Sequence, residues 1–257
     1  MNWLNKTWDE EDVAYAPKRQ VHNRASWLRP HEIGSFPSFK NGGREVAYES
    51  GNERLFYYLL ELDPRTVRYY PQPLEISMSG RDKSGRLNTW PHYPDVLVFR
   101  QGNVPSLFEM KESPEQLPEG FERTKARCMR FAEDHGWRYT VVYPKQMPKE
   151  IIFNLNFLIT YLKKRVGFDK WIPAVLDRLK YMQPCPIDEL SETFRAVTNP
   201  LFITPVTYHL IAKGNLSVDV NQKINQFSQV SIASAPGSLI DQLKQWFVGE
   251  EQTIVLD

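Results

Sequence analysis

Asp95, Glu109 and Lys111 are the residues whose types and spacing can do chemistry together. Pro94-Asp95 opens the apolar run Val96-Leu97-Val98-Phe99, which places a carboxylate at the head of a buried strand. Such strands carry carboxylates only when these are paired or bind a metal. Gln101-Gly102-Asn103 reads as a hairpin turn, and the strand after it carries Glu109-Met110-Lys111. Side chains alternate faces along a strand, so Glu109 and Lys111 share one face while Phe108 and Met110 take the other. Pairing around residues 101–104 brings Asp95 and Glu109 together at the far end of the hairpin.

Two carboxylates a few Å apart repel by roughly 1–4 kcal/mol at a protein surface. A divalent cation compensates best, and magnesium, with manganese as a substitute, prefers carboxylate oxygens, a backbone carbonyl and water. Asp95, Glu109, a further acid at Glu53 and the carbonyl of Met110 are the candidate ligands. Lys111 has a compact ammonium that can orient or help deprotonate an attacking water and offset charge on a phosphorane-like transition state. Cation, water and lysine together describe phosphodiester hydrolysis. Glu53 has a second reading: it lies in the first turn of a helix, where a carboxylate favours the helix dipole. The alternative for the strand residues is a salt bridge of Lys111 with Asp95 or Glu109.

Gln72, between Pro71 and Pro73, is placed to bond a ligand water or a phosphate, or is a plain turn residue. His92, just before Pro94, is a candidate DNA contact or an exposed strand-end histidine. Lys125 lies on a helix with Arg123, Arg127 and Arg130, interleaved with Phe121 and Phe131. That face either tracks phosphates or is simply solvated.

The elements that must position these residues follow from periodicity. The pattern predicts a helix over 49–62 ended by Asp63-Pro64, strands over 67–76, 88–100 and 106–112, a helix over 119–135 closed by Gly136, and a strand over 138–143. This is a compact mixed α/β domain, a sheet flanked by helices, spanning 46–165. A helix over 148–165 leads away from it. Helices over 171–182, 187–194 and 204–213 and a strand over 216–220 outline a smaller winged-helix-like domain spanning 166–257. On its last helix only His209 and Lys213 are basic, which favours docking of a protein over reading of DNA. Residues 1–45 read as a basic arm with Lys18, Arg19, Arg24 and Arg29, either contacting DNA or packing through Trp27 and Leu28.

Composition narrows the class. Across 257 residues, 32 basic against 31 acidic side chains leave a formal net charge of +1, so any nucleic-acid surface must come from local clustering. Cys128 and Cys185 form no CxxC or Cys/His pattern, which excludes a zinc site of the usual kind and fits a reduced compartment. No apolar run is long enough for a bilayer, and the acidic Asp9-Glu10-Glu11-Asp12 does not read as a secretory signal. A cytoplasmic protein with no membrane partner, nucleoid-associated when bound to DNA, is expected.

The order helix glutamate, Pro94-Asp95, hairpin, Glu109-Met110-Lys111 resembles the PD-(D/E)xK nuclease superfamily, which implies a restriction-endonuclease-like fold with a mixed sheet flanked by helices. More narrowly, Tyr48-Glu49-Ser50-Gly51-Asn52-Glu53-Arg54-Leu55-Phe56, Tyr70-Pro71-Gln72-Pro73, His92-Tyr93-Pro94-Asp95-Val96-Leu97-Val98 and Phe108-Glu109-Met110-Lys111 resemble TnsA, the endonuclease subunit of heteromeric cut-and-paste transposases. The motifs cover roughly residues 25–145. Glu109 stands where the best-known member has glutamine, which brings this chain closer to the general nuclease pattern. The resemblance implies hydrolysis of the non-transferred strand at the 5′ ends of a transposon. It implies double-stranded DNA, a TnsB-type DDE transposase and a TnsC-type AAA+ regulator as partners, the regulator docking on the C-terminal domain. Two alternatives stay open: a stand-alone restriction or repair endonuclease, and a non-cleaving DNA-binding scaffold.

Overall fold

The computed structural model describes residues 1–19, 32–81, 85–144, 146–235, 237–249 and 256. The chain opens with helix α1 (Asp9–Ala14) and a hairpin of β1 (Gly34–Pro37) and β2 (Glu45–Tyr48). Helix α2 (Gly51–Leu62) follows, then β3 (Thr66–Pro71), β4 (Ile76–Arg81), β5 (Leu87–His92), β6 (Val96–Arg100), β7 (Ser106–Met110), helix α3 (Phe121–Asp134) and β8 (Arg138–Pro144). The later part holds α4 (Lys149–Ile159), α5 (Phe168–Met182), β9 (Cys185–Pro186), α6 (Ile187–Glu192), α7 (Pro200–Ala212), β10 (Leu216–Val218), β11 (Gln229–Ile232), α8 (Ser238–Leu243) and β12 (Phe247–Gly249).

The protein is α/β, with a mixed five-stranded sheet in the order β12-β8-β7-β6-β3. Strand β7 pairs antiparallel with β6 and parallel with β8, with α3 as the crossover between β7 and β8. The hairpin forms at the expected turn: Val98 faces Ser106, Gly102 has φ 88, and Asn103 donates to the Arg100 carbonyl. A positive φ there is what glycine permits. The expected single strand over 88–100 is two strands in two sheets. Pro91 and Pro94 lack a ladder N–H, so β5 pairs with β4 in a separate two-stranded ribbon, and β6 starts only after Asp95. The expected strand over 67–76 likewise breaks at Pro71-Gln72-Pro73, where Gln72 takes φ 44.

Contacts divide the chain into two units. The first is Met1–Arg54, Arg65–Lys145 and Phe247–Asp257; the second is Leu55–Pro64 and Gln146–Trp246. The sequence expectation put the division at residue 165. Helix α4 instead belongs to the second unit, because Asn154 is buried there, donating to the carbonyls of Val220 and Gln222 and accepting from the Ile224 amide. Strand β12 belongs to the first unit, pairing Phe247–Gly249 with β8. In the second unit, β11 pairs with both β10 and β9 to form a three-stranded sheet beside α5, α6 and α7. Helix α7 begins at Pro200 rather than Thr204, with Asn199 as its cap, accepting from the Leu201 amide at 3.0 Å.

Residues 1–17 do not run free as an arm. Trp3, Trp8 and Tyr15 pack against the cluster of Tyr70, Leu97, Phe99, Leu107 and Cys128, with ring centroids of Trp3 and Trp8 at 5.3 and 5.0 Å from Phe99. Arg24, Trp27, Leu28 and Arg29 lie outside the described residues. Among the described residues, no helix is long and apolar enough to cross a membrane.

Candidate active site

Asp95 occupies the gap between the ribbon and the sheet, and its main chain is held from both sides. Its carbonyl accepts from the Gln72 amide at 2.8 Å, and its amide donates to the Phe108 carbonyl at 3.1 Å. Its Oδ2 accepts the Met110 amide at 2.5 Å, so the carboxyl is seated over the end of β7. Glu109, on β7 and 2% exposed, has both oxygens engaged. Oε1 accepts from Lys111 Nζ at 2.5 Å and Oε2 from His92 Nε2 at 3.0 Å; a carboxylate acceptor requires the proton on that ring nitrogen. Lys111 is fixed by its amide, which donates to the Val142 carbonyl at 2.9 Å, and its ammonium lies 5.3 Å from the Phe121 ring.

The electrostatics of the cluster are asymmetric. Desolvation and the charges of Glu109 and Glu53 push the Asp95 carboxyl well above the usual carboxylate range. Burial also pushes Glu109 up, but the His92 hydrogen bond and the Lys111 charge outweigh it and hold Glu109 low. Burial alone would lower Lys111; the charges of Glu109 and Asp95 raise it instead. The Glu109–Lys111 ion pair weighed in the sequence is therefore present, and it is built into the same cluster as Asp95.

Glu53 has its carboxylate turned to its own helix start. Its Oε2 accepts from the Glu49 amide at 2.9 Å and its Oε1 from Ser50 Oγ at 3.3 Å, while its amide donates to Ser50 Oγ at 3.1 Å. This is a capping box one residue out of the usual register, and Ser50-Gly51-Asn52-Glu53 is its sequence signature. The capping role and a place near the cluster coexist, since Glu53 still contributes to the field on Asp95.

Among the described residues, no group of three or more His, Cys, Asp or Glu side chains is arranged to hold a metal. The donor set nonetheless suits a hard divalent cation: two converging carboxylates, a third in their field, and the Met110 carbonyl on the same strand end. The ammonium of Lys111 offsets part of the carboxylate charge, and the ring of His92 bonds the other Glu109 oxygen.

Of the supporting residues, His92 is brought into the cluster as a partner of Glu109. Sequence reading missed that partnership, because β5 leaves the sheet and only the pairing of His92 with Ile76 aims its ring back. Gln72 supports the site through its main chain: besides the bond to Asp95, its carbonyl accepts from the Lys18 amide at 2.9 Å. Lys125 is half-buried on α3 and already interacts with a neighbour. Cys128, buried under the site, has its thiol pushed up to about 12 by desolvation and the charge of Glu109, which makes it inert.

Fold and site together define an α/β protein carrying an acid–acid–lysine cluster where two central strands of a mixed sheet end. No protein-family model matches the chain, and no curated protein matches it in sequence.

Proposed function

We propose that this chain is a magnesium-dependent DNA endonuclease of the PD-(D/E)xK type, acting as the TnsA-like subunit of a heteromeric transposase. One observation carries the reading. Asp95 and the Glu109-Met110-Lys111 segment converge on one strand end, with the Met110 amide on Asp95 and the Lys111 ammonium on Glu109. Asp95, Glu109 and the Met110 carbonyl would hold the cation, with Glu53 as the outer acid. The bound cation supplies Lewis-acid stabilisation of charge on the phosphoryl oxygens. Lys111 donates from Nζ to the attacking water and aims it at phosphorus. His92 holds the Glu109 carboxylate in place through Nε2.

We read the second unit as winged-helix-like: its elements run α5, β9, α6, α7 and then the β10–β11 hairpin, with Val230 of β11 also facing Cys185 of β9. Its α7 is a poor reader of DNA. His209 is 4% exposed and its Nδ1 lies 2.7 Å from the Tyr161 carbonyl, whereas Leu201 and Phe202, 75% and 65% exposed, stand at the helix start. That surface supports docking of a TnsC-type AAA+ regulator. The first unit would act on DNA beside a TnsB-type DDE transposase.

The test is reconstitution on transposon-end duplexes with magnesium and both partners, each strand labelled separately. Nicking confined to the 5′ ends and dependent on the partners is the expected result. Cutting by the isolated chain at an internal sequence would assign a stand-alone endonuclease instead, and no cutting under any condition would assign a binding scaffold.

A further inference from the structure

The β4–β5 ribbon and the first half of α3 enclose a second recess, separate from the carboxylates. Ser77 and Ser79 of β4, Trp90 of β5, and Arg123, Thr124 and Arg127 of α3 line a cavity of about 100 Å³. Strand alternation builds one wall: Met78 and Gly80 share a face with Trp90, the cross-strand partner of Met78, while the side chains of Ser77 and Ser79 alternate to the opposite face. The helix builds the other. Arg123 and Arg127 are four residues apart, on one face, where like charges repel. Both are exposed, and among the described residues neither takes part in an ion pair. Arg123 Nη1 rests on the ribbon at Gly80, where a Cβ would lie only 2.7 Å away. The absence of a side chain at Gly80 lets the guanidinium settle over the strand.

Two guanidinium groups, the Thr124 hydroxyl and no lining carboxylate select an anion with several acceptor oxygens. The volume suits one phosphate-sized group and excludes a nucleobase. The cavity is also tied to the candidate active site. Trp90 is two residues before His92 on β5, and His92 Nε2 bonds Glu109. Two residues of strand span about 7 Å, so Trp90 and His92 lie within reach of one short run of DNA backbone. We infer that this cavity is a subsite for a backbone phosphate of duplex DNA, close along the strand to the bond cleaved at Asp95 and Glu109. The identity of the ligand rests on the endonuclease reading; the geometry of the cavity does not.

The experiment measures binding of the full chain to a labelled transposon-end duplex by fluorescence anisotropy, without divalent metal, over a series of salt concentrations. Wild type is compared with the double variant Arg123→Ala/Arg127→Ala and with Arg123→Lys/Arg127→Lys, each checked for an unchanged melting temperature. The alanine pair is expected to bind roughly tenfold more weakly, and its slope of log K against log salt to fall by about 1 for one lost phosphate contact. The lysine pair is expected to recover the slope but not the full affinity, because the forked donors are gone. Methylphosphonate placed at single positions is expected to weaken wild type at one position and to leave the alanine pair indifferent there. Unchanged affinity and slope in the alanine pair would overturn the subsite while leaving the nuclease reading intact. Arginine-dependent binding by a chain that never cuts would keep the subsite and defeat the nuclease reading. Wild type that binds no duplex, but is stabilised by inorganic phosphate alone, would overturn DNA as the ligand.

Discussion

The Glu53 carboxylate accepts from the Glu49 amide at 2.9 Å and from Ser50 Oγ at 3.3 Å, and it also bears on Asp95 through its charge. These two roles separate under one substitution. Glu53→Gln keeps an acceptor oxygen for the Glu49 amide, so the loss of stability should stay below about 1 kcal/mol, within the range of a weakened cap. If Glu53 is the outer acid of the site, the same change lowers cleavage tenfold or more. Thermal melts and nicking rates on one preparation check both halves. An equal fall in stability and none in nicking would leave Glu53 as a cap only. At this scale the sequence was informative about residue type and blind to orientation. Alternation placed Glu109 and Lys111 on one face, and the hairpin turn placed Asp95 opposite them. Nothing in the spacing showed that Glu53 bends back to its own helix start or that His92 bonds Glu109, because both depend on where β5 and α2 enter the fold.

Helix α1 is short and buries none of its residues, yet it is anchored. Asp12 receives Arg68 and Tyr70 from β3, with Tyr70 Oη at 2.8 Å, and Arg44 pairs with it at 2.8 Å. Burial raises the Asp12 carboxyl, but the hydrogen bonds of Arg68 and Tyr70 outweigh it and hold it below the ordinary 3.8. A carboxyl depressed in the folded state is bound by protons more readily when unfolded. Its stabilisation is therefore fully present above the unfolded value of 3.8 and lost as pH falls through the lower folded value. Asp12→Asn should cost about 2 kcal/mol at neutral pH, the scale of a hydrogen-bonded charge removed from a partly buried pair. Denaturant melts across acid pH should show wild type and variant converging as that carboxyl protonates; a gap that stays constant with pH would contradict the account. This anchor is not visible in the periodicity of the segment before residue 20. Its aromatic residues have no helical or strand period, and they pack only because Phe99 and Tyr70 offer a surface supplied by distant strands. Elements with strong period or punctuation, such as α3 closed by Gly136 and the Gly102 hairpin, were legible in full. Strands broken by Pro71-Gln72-Pro73 and by Pro91 and Pro94 were legible only as apolar runs, since the sheet to which each half belongs is a tertiary choice.

For the whole molecule, a first unit carries the Asp95, Glu109 and Lys111 cluster and the recess at Arg123 and Arg127, and a second unit holds α5, α6 and α7 beside a three-stranded sheet, with Leu201 and Phe202 exposed at the start of α7. Under the proposed transposase reading, cutting is expected only from the complete assembly. The central claim is that Asp95, Glu109 and Lys111 hydrolyse a phosphodiester. It is tested most directly by the rate of magnesium-dependent 5′-strand nicking in the reconstituted complex, comparing wild type with Asp95→Asn and Lys111→Ala, both verified as folded. The account predicts nicking below detection for Asp95→Asn and a fall of about 10²–10³ for Lys111→Ala, the cost of removing one donor aimed at a transition state, with 3′ cutting by the partner intact. Nicking that stays within a few-fold of wild type in both variants would contradict it and reduce the cluster to a buried ion pair.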